Sequence, residues 1–243
     1  METVITTTTW YKDSNEIRAK LAFKTAEEAK KHGFALVVVD GGSPESFCRG
    51  MRERGAKVIP QEVKGFGEGI RESFREASLL VGVDGMIIRM EPEKYPFVPE
   101  LPALVSLMME GEVDLMVLGR KNLDSYPPEQ KHEEMFLNLS AQSLTGLKWD
   151  FSFGPFIANS QALPYFLSYD GEYGDIWDSI WLPRLRLMAD GARVKYLEVD
   201  YIHPIEQTKE ETGNSNFVMK RLRQLNNMIP AYEKETQRLS CLK

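Results

Sequence analysis

The sequence predicts an α/β fold in which a Rossmann-like, mostly parallel sheet carries helices on both faces. Short apolar runs rich in β-branched residues alternate with longer segments of helical periodicity over about the first half of the chain. Turn-forming residues follow most of the apolar runs. A helix that connects two strands of one sheet nearly always leaves them parallel, so this alternation predicts βαβ units.

The first strand–helix–strand unit occupies about the first 40 residues. Residues 4–9 are β-branched throughout and predict a strand, and residues 35–39 predict a second, buried strand. Between them, Asp13 and Glu16 resemble a capping box, and Gly33 marks the end of a helix over residues 14–32. This unit predicts that the sheet begins as a parallel one.

The alternation continues to about residue 120. A glycine-rich turn at residues 64–69 leads into a helix that places Ile70 and Phe74 on one face. The other predicted elements are a helix over residues 45–54, a strand over residues 57–59, a strand within residues 79–90, a helix over residues 99–110 and a strand over residues 113–118.

The second half of the chain is less regular. Residues 122–131 are polar, contain two adjacent prolines and predict a loop. Beyond them we predict helices over residues 133–147, 161–169 and 176–188, a strand over residues 194–199, and a basic amphipathic helix over residues 217–237 that Pro230 interrupts. Residues 149–159 have a mixed pattern. Since no repeat or low-complexity linker divides the sequence, we predict a single domain over residues 1–243.

The composition indicates a globular protein of a reducing compartment. A net charge of -6 disfavours nucleic acid as a partner, because such proteins usually present a basic surface. Cys48 lies within the predicted fold and Cys241 in the C-terminal tail, so no disulfide framework is expected. No apolar stretch approaches the roughly 20 residues of a membrane span. We therefore predict a cytoplasmic protein without an integral membrane segment.

Polar side chains stand at the ends of several predicted strands. They are Thr8 and Thr9 after the first strand, Asp40 after the second, Glu91 and Glu93 after a central one, and Arg120 after a later one. Ligands of open α/β sheets bind beyond the carboxyl ends of the strands. One acid in such a place equally suits a helix cap or a turn, but several along one edge predict a binding cleft.

Residues 85–94 read Gly-Met-Ile-Ile-Arg-Met-Glu-Pro-Glu-Lys and are the most informative of these segments. The apolar run predicts a buried strand, and Pro92 ends it because proline cannot donate to a sheet ladder. Glu91 and Glu93 then fall at the ligand-binding edge, where two carboxylates suit a hard divalent cation that also holds a phosphate. The alternative is an ordinary loop with two solvated acids.

Four further segments occur in an informative order. Residues 37–43 read Val-Val-Val-Asp-Gly-Gly-Ser, residues 64–71 read Lys-Gly-Phe-Gly-Glu-Gly-Ile-Arg, residues 114–120 read Asp-Leu-Met-Val-Leu-Gly-Arg, and residues 150–155 read Asp-Phe-Ser-Phe-Gly-Pro. Together they resemble motifs of the family-2-type glycosyltransferases, which are nucleotide-diphospho-sugar transferases of the GT-A fold. The later segments resemble the polyprenol-phosphate sugar synthases among them. The resemblance covers about residues 1–160.

The resemblance implies a single GT-A-like domain whose two halves bind different substrates. Residues 1–121 are then the nucleotide-sugar-binding half, and residues 122–243 form the acceptor side and a C-terminal helix. Thr8 and Asp40 are expected to hold the nucleobase and ribose, Lys64 and Gly65 to lie near the diphosphate or ribose, and Arg120 to complete the site. From the residues alone, Asp40 equally suits a helix cap and Lys64 a solvated turn.

The segment Glu91-Pro92-Glu93 falls where the family carries its metal-binding Asp-x-Asp motif. Glutamate is one methylene longer than aspartate, and it can still ligate Mg²⁺ or Mn²⁺, which prefer oxygen ligands. The departure leaves two alternatives, metal-dependent transfer with altered geometry or a relative that has lost activity. The family pattern also makes His203 a candidate metal ligand, with a structural role as its alternative.

The family places an acid of the second half as the base that deprotonates the acceptor hydroxyl. Asp178 is our preferred candidate, followed by Asp175, and the two fall on one face if the segment is helical. Asp150, in the fourth matched segment, is the next candidate. Asp175 equally suits an N-cap of the helix that begins near residue 176.

These observations predict a glycosyltransferase that uses a nucleotide diphosphate sugar, UDP- or GDP-linked, with Mg²⁺ or Mn²⁺. The sugar, the hydroxyl acceptor, the stereochemical course and the assembly state, with a homodimer among the options, stay open. A non-catalytic nucleotide-sugar-binding protein is the first alternative. A sugar-phosphate nucleotidyltransferase is the second, but residues 6–11 lack the glycine-rich loop with arginine and lysine that it would carry after its first strand.

Overall fold

The structure is a computed structural model that describes residues 2–82 and 84–240. Within them, Cys48 is a buried free thiol. Cys241, the other cysteine of the disulfide argument, lies outside the described residues.

The described strands form one seven-stranded sheet in the order β3-β2-β1-β4-β6-β5-β7. Their bounds are β1 (Thr3–Thr9), β2 (Ala35–Asp40), β3 (Lys57–Pro60), β4 (Met86–Arg89), β5 (Leu115–Arg120), β6 (Phe156–Asn159) and β7 (Val194–Val199). β6 runs antiparallel to both of its neighbours, β4 and β5, and the other pairs of neighbouring strands are parallel. The mostly parallel sheet predicted from the sequence is thus confirmed.

Helices cover both faces of the sheet, as the sequence predicts. Their bounds are α1 (Ile17–Lys31), α2 (Glu45–Glu53), α3 (Phe66–Val81), α4 (Leu101–Glu110), α5 (Pro128–Thr145), α6 (Leu163–Leu167), α7 (Asp178–Ala189), α8 (Ile205–Glu211) and α9 (Ser215–Ser240), and a 3₁₀ turn (Tyr95–Glu100) precedes α4. No helix among these residues is long and apolar enough to cross a membrane.

The core consists of two apolar layers, one on each face of the sheet, because successive side chains of a strand point to opposite faces. Val37 of β2 faces a layer with α3, α5, α7 and α9, whereas its neighbours Leu36 and Val38 face a layer with α1, α2 and α4. Because both faces are covered, the strands read as continuous apolar runs rather than as alternating ones. Each large side chain buried in this way contributes roughly 1.5–3 kcal/mol to folding.

Two elements were not predicted, β6 and α8. β6 has four residues and follows Gly154-Pro155 in a segment of mixed pattern, so neither its length nor its periodicity identifies it. α8 has seven residues and begins after Pro204. Both are short elements whose formation depends on their neighbours: β6 inserts between β4 and β5, which gives its backbone partners on both sides.

Several boundaries differ from the prediction. α1 begins at Ile17, because Glu16 Oε1 accepts the backbone N–H groups of Lys12 and Asp13 and closes a turn before the helix. α3 runs to Val81, so β4 occupies only the end of the predicted strand segment. Pro128 starts α5 inside the predicted loop. Pro230 lies within α9, which continues past it.

Residues 66–69 of the glycine-rich segment form the first turn of α3, and Lys64 and Gly65 precede it. Gly67 lies so close to the segment before α7 that a Cβ atom there would collide with the carboxylate of Asp175. Its backbone N–H donates to the carbonyl oxygen of Asp175 over 3.0 Å. The glycine is therefore required by the close approach of α3 to the second half of the chain.

Candidate functional site

The carboxyl ends of the parallel strands meet at one edge of the sheet, as the register dictates. Thr9 stands opposite Asp40, and Val39 stands opposite Ile59, so β1, β2 and β3 end together. β5 and β7 end together in the same way, with Arg120 opposite Val199. The polar residues predicted at the strand ends are therefore gathered at this edge, which is where open α/β sheets bind ligands.

Asp40 closes the turn after β2. Its Oδ1 accepts the hydroxyls of Thr9 at 2.7 Å and Ser43 at 2.6 Å, and its Oδ2 accepts the backbone N–H groups of Gly42 at 2.9 Å and Ser43 at 2.7 Å. The carboxylate thus has the turn-forming role that the sequence left open as an alternative. Its predicted role in holding a nucleobase or ribose stays a prediction.

Lys64 is brought against this turn. Its Nζ donates to the carbonyl oxygen of Gly41 over 2.7 Å, which joins the start of the glycine-rich segment to the end of β2. Gly65 precedes α3 with a φ of 137°, a conformation that favours glycine. Thr8 is partly exposed on β1 one residue before this edge. These predicted nucleotide-binding residues lie in one neighbourhood, and their binding role stays a prediction.

Glu91, at the end of β4, is held by cations of the chain. Its Oε1 accepts a hydrogen bond from Arg89 Nη1 over 2.7 Å, and its Oε2 lies 3.9 Å from Lys94 Nζ. Burial opposes ionisation of this carboxyl, but the charges of Arg89 and Lys94 outweigh it and lower the pKa of Glu91 to about 2. Glu91 is therefore a paired, ionised carboxylate.

Glu93 is paired separately. Arg18 of α1 lies between two carboxylates, with Nη1 3.3 Å from Glu93 Oε1 and Nη2 2.6 Å from Glu211 Oε1. Glu211 Oε2 in turn lies 3.3 Å from His203 Nε2. Glu93 and His203 are therefore linked indirectly, through Arg18 and the carboxylate of Glu211.

The structure does not gather the predicted metal ligands Glu91, Glu93 and His203 into one site. Within residues 2–82 and 84–240, no group of three or more His, Cys, Asp and Glu side chains is arranged to hold a metal ion. Arg89 lies beside Glu91 and Arg18 lies beside Glu93, so each glutamate already has an arginine partner. The roles of Glu91, Glu93 and His203 as metal ligands stay predictions.

His203 is a buried aromatic contact rather than an exposed ligand. Its ring stacks on Tyr126 with the centroids 4.2 Å apart, and its backbone N–H donates to the hydroxyl of Ser125. Burial lowers the pKa of His203, and its contact with Glu211 opposes that change only in part. The structural alternative for His203 matches these contacts.

Arg120 and Asp150 were predicted as separate site residues, but they bind each other. Arg120 Nε lies 2.7 Å from Asp150 Oδ2, Nη2 lies 2.9 Å from Asp150 Oδ1, and Nη1 donates to Glu134 of α5. Arg221 of α9 donates to the other oxygen of Glu134 over 2.6 Å. Burial opposes the charge of Asp150, yet Arg120 holds its pKa well below the usual range.

Asp178 is enclosed at the start of α7, with 0% of its surface exposed. Its carboxylate accepts the hydroxyl of Tyr169 over 2.6 Å and the backbone N–H of Ile176 over 2.7 Å, and two further backbone N–H groups donate to Oδ2. The carboxylate therefore orders the turn that precedes α7. The role of Asp178 as the base stays a prediction.

Asp175 is clamped by α3. Arg71 donates to both of its oxygens, over 2.7 Å and 2.6 Å, and Ser179 donates to Oδ1 over 2.7 Å. Hydrogen bonding by Arg71 lowers the pKa of Asp175. The pair joins Arg71 of the Lys-Gly-x-Gly segment to the second half of the chain. The alternative role of Asp175 as an N-cap is not seen, since Trp177 holds that position, and its role as a base stays a prediction.

Three charged residues at this edge were missed in the sequence. They are Arg18, Lys94 and Glu211. Lys94 directly follows Glu91-Pro92-Glu93, so its role as a counter-ion of Glu91 could have been inferred from the sequence. Arg18 and Glu211 are separated by 193 positions, and nothing local to either residue signals their contact.

A polar cavity of about 320 Å³ lies beyond the carboxyl end of β5. Its wall includes the basic residues Arg120, Lys121, Lys131 and Lys148 together with Asp150. Two of these lysines form ion pairs at a distance of 2.5 Å. Lys121 pairs with Asp200, which does not line the cavity, and Lys131 pairs with Asp124, which does. Of the three acids predicted as bases, Asp150 is the one that lines this cavity.

Comparison with known proteins extends the description of the fold. No family model matches this chain, and no curated protein matches its sequence. Glucosyl-3-phosphoglycerate synthase from Mycobacterium tuberculosis, solved with Mn²⁺, uridine diphosphate and phosphoglyceric acid, is 13% identical with a TM-score of 0.56, over 90% of this chain and 78% of that one. The same enzyme with Mn²⁺, uridine diphosphate and glucosyl-3-phosphoglycerate reaches 0.59, over 90% and 79% of the two chains at 13% identity.

A second enzyme has the same architecture. Mannosyl-3-phosphoglycerate synthase from Rubrobacter xylanophilus is 12% identical with a TM-score of 0.56, over 95% of this chain and 75% of that one. At such identities the similarity is one of fold. The chain has the GT-A fold of nucleotide-diphospho-sugar transferases, which confirms the fold implied by the four sequence motifs.

We expect Arg120→Met to lower the free energy of unfolding by about 3 kcal/mol or more, because it leaves the buried Asp150 and Glu134 without their shared cation. Urea unfolding of the variant measures the loss. Lys121→Met is the matched control, since the neighbouring lysine is solvent-exposed and should change stability little. Equal effects of the two substitutions would contradict the structural role of Arg120.

The ion pair of Glu211 should make stability depend on pH. Burial opposes the charge of Glu211, but its contacts with His203 and Arg18 lower its pKa to about 2, against about 4.3 for an ordinary glutamate. The stabilisation is therefore complete above about pH 5 and is lost as pH falls towards the folded value. The unfolding free energy of wild type minus that of Glu211→Gln should shrink between pH 6 and pH 3.

Urea unfolding at several pH values measures this difference. Glu210→Gln serves as the control, because Glu210 is an exposed neighbour on the same helix. A gap between wild type and Glu211→Gln that stays constant over this range would show that the pair does not carry the pH dependence.

Proposed function

We propose that this protein is a glycosyltransferase that moves a sugar from a nucleotide diphosphate sugar to a hydroxyl acceptor. The observation that carries the proposal is the GT-A fold, which matches a glucosyl- and a mannosyl-3-phosphoglycerate synthase over 90% or more of this chain, the former solved with uridine diphosphate. The polar edge of the sheet, where β1, β2, β4 and β5 end, supports the same conclusion because open α/β folds bind nucleotides there.

The donor would lie along this edge. The turn after β2, with Asp40 and Lys64, is proposed for the nucleobase and ribose, and UDP- and GDP-linked sugars are the donors to test first. The diphosphate would then reach the ends of β4 and β5, where basic side chains are concentrated. An acceptor oxygen would form a bond to the anomeric carbon as the bond to the diphosphate breaks, and the hydroxyl proton would pass to a base.

The proposed base is Asp150. Asp150 keeps the role because it lines the cavity beyond β5, whereas Asp178 is enclosed and Asp175 is clamped by Arg71. A carboxylate with a lowered pKa is a weak base. Transfer would therefore depend more on stabilising the departing diphosphate than on removing the acceptor proton.

Because these acids already have partners within the chain, a second candidate function is a non-catalytic protein that binds a nucleotide sugar. All three predicted bases accept hydrogen bonds from within the chain, and both glutamates of the Glu-Pro-Glu segment are paired with arginines. The two candidates share the donor site and differ in turnover. The same experiment therefore separates them.

For the acceptor, we propose a small phosphorylated hydroxy acid in the polar cavity beyond β5. The similar synthases act on phosphoglycerate, as their names state. Cavities of this size suit small ligands, and the wall carries basic side chains that suit a phosphate. Lys148 is an exposed member of that wall.

The donor site is tested by thermal unfolding with a panel of UDP- and GDP-sugars, followed by an assay for transfer to phosphoglycerate and for donor hydrolysis. A ligand at 100 times its Kd stabilises the folded state by about 2.7 kcal/mol, so a true donor raises Tm clearly. Stabilisation with turnover supports the transferase. Stabilisation without turnover supports the binding protein, and no stabilisation by any nucleotide sugar rejects both.

We expect Lys148→Ala to raise the KM for a phosphorylated acceptor by roughly tenfold with little change in kcat, since a charge-assisted hydrogen bond is worth about 1.5–3 kcal/mol. Lys195→Ala is the control, because Lys195 is an exposed lysine on β7 outside the cavity wall. Steady-state kinetics with varied acceptor measure both. Unchanged KM in Lys148→Ala would place the acceptor elsewhere.

A further inference from the structure

We propose that Lys94, with Arg89 and Arg184 behind it, neutralises the diphosphate of the donor in the place of a divalent metal, so that this chain binds nucleotide without Mg²⁺ or Mn²⁺. The inference rests on the proposed function, since it concerns the donor site of that reaction. The resemblance leads one to expect a metal held by carboxylates, but this chain places cationic side chains beside Glu91 and Glu93. The inference follows from this disagreement.

The first observation is the number of cations around Glu91. Arg89 donates to it over 2.7 Å, and Lys94 Nζ lies 3.9 Å from its Oε2. Arg184 is held behind this pair through Gly154, whose carbonyl oxygen accepts from Nη2. Two cations thus lie beside one carboxylate, so the charge of Glu91 is more than balanced by its direct partners. A divalent cation approaching Glu91 would meet this excess, whereas an anionic diphosphate would be attracted by it.

The second observation is the burial of Arg184. The residue is 0% exposed, its guanidinium lies 4.2 Å from the ring centre of Phe156 and 4.1 Å from that of Trp181, and Nη2 donates to the carbonyl oxygen of Gly154 over 2.6 Å. Its Nε and Nη1 atoms have no hydrogen-bond partner in the described part of the chain. A buried charge without a carboxylate of its own acts on its surroundings through a low dielectric.

Gly154 allows this arrangement. A Cβ atom at this position would collide with Glu91 Oε1 and with Arg89 Nη1. The absence of a side chain lets the carbonyl that holds Arg184 pack directly behind the Arg89–Glu91 pair. The glycine of the Asp-Phe-Ser-Phe-Gly segment therefore has a physical role here, which is to bring two arginines to one glutamate.

Lys94 is the most exposed of these three cations. Its side chain keeps 12% of its surface exposed, and its Nζ lies 4.7 Å from the ring centres of both Phe153 and Tyr201. Polar atoms of neighbouring side chains have no hydrogen-bond partner within the described residues, namely Glu91 Oε2, Tyr201 Oη and His203 Nδ1. Buried polar groups are normally paired, so such a group of unpaired atoms indicates a place for a polar ligand.

The second glutamate of the segment leads to the same conclusion. Glu93 is already neutralised by Arg18, which also binds Glu211. A metal at Glu93 would have to displace an arginine held by two carboxylates. Lysine is a compact charge that binds phosphate without fixed geometry, and it suits the role that the metal would otherwise have.

The test is calorimetric titration of the full chain with UDP, GDP and ADP, in the presence of a chelator and then with saturating Mn²⁺ or Mg²⁺. We expect the Kd of the bound nucleotide to change by less than about threefold between these conditions. Binding that requires metal, or that tightens more than tenfold with it, would overturn the inference and leave the proposed function intact. No binding of any nucleotide under either condition overturns both.

Substitution of Lys94 provides the second arm. Lys94→Met should weaken nucleotide binding in chelator at least tenfold, and Lys94→Arg, which keeps the charge, should restore most of it. Lys195→Met is the matched control on β7, and thermal unfolding confirms that each variant is folded. If folded Lys94→Met binds nucleotide as tightly as wild type, Lys94 does not neutralise the diphosphate.

Discussion

The bidentate pair between Arg120 and Asp150 is the interaction on which the second half of the molecule depends. Arg120 ends β5, Asp150 lies in the segment before β6, and Glu134 of α5 joins the same guanidinium together with Arg221 of α9. Three other parts of the chain, the segment before β6, α5 and α9, are thus fixed to the end of β5. Because these charges are buried, each needs its partners, and the network allows only the arrangement in which all are paired.

The same principle explains how this chain modifies the edge of a GT-A sheet. Ion pairs within the chain occupy the positions next to Glu91 and Glu93, and a further ion pair from Arg71 to Asp175 joins α3 to the segment before α7. The fold is therefore kept, but both glutamates at the end of β4 are paired with arginines, whereas a metal site would need them as free carboxylates. A nucleotide sugar would meet side-chain cations there.

The sequence predicted the elements whose residues specify them locally. β1, β2 and β7 are continuous runs with turn residues at their ends, and the structure places them within one or two residues of the prediction. β6 was missed because it lies in a segment of mixed pattern that contains Gly154 and Pro155. The site was harder, since motif position located Asp40, Glu91 and Arg120 at strand ends but not their partners. The contact of Arg18 with Glu211 arises from folding and has no signature in either neighbourhood.

The antiparallel strand β6 has a consequence for the order in which the molecule assembles. β3, β2, β1 and β4 form one block of the sheet from residues close in sequence, and β5 with β7 forms another. The two blocks meet through β6, which pairs with β4 on one side and β5 on the other. The pairings of β6 with β4 and β5, like that of β5 with β7, join residues that are distant in sequence, and closing such loops costs entropy. The seven-stranded sheet is therefore complete only when these long-range pairings have formed.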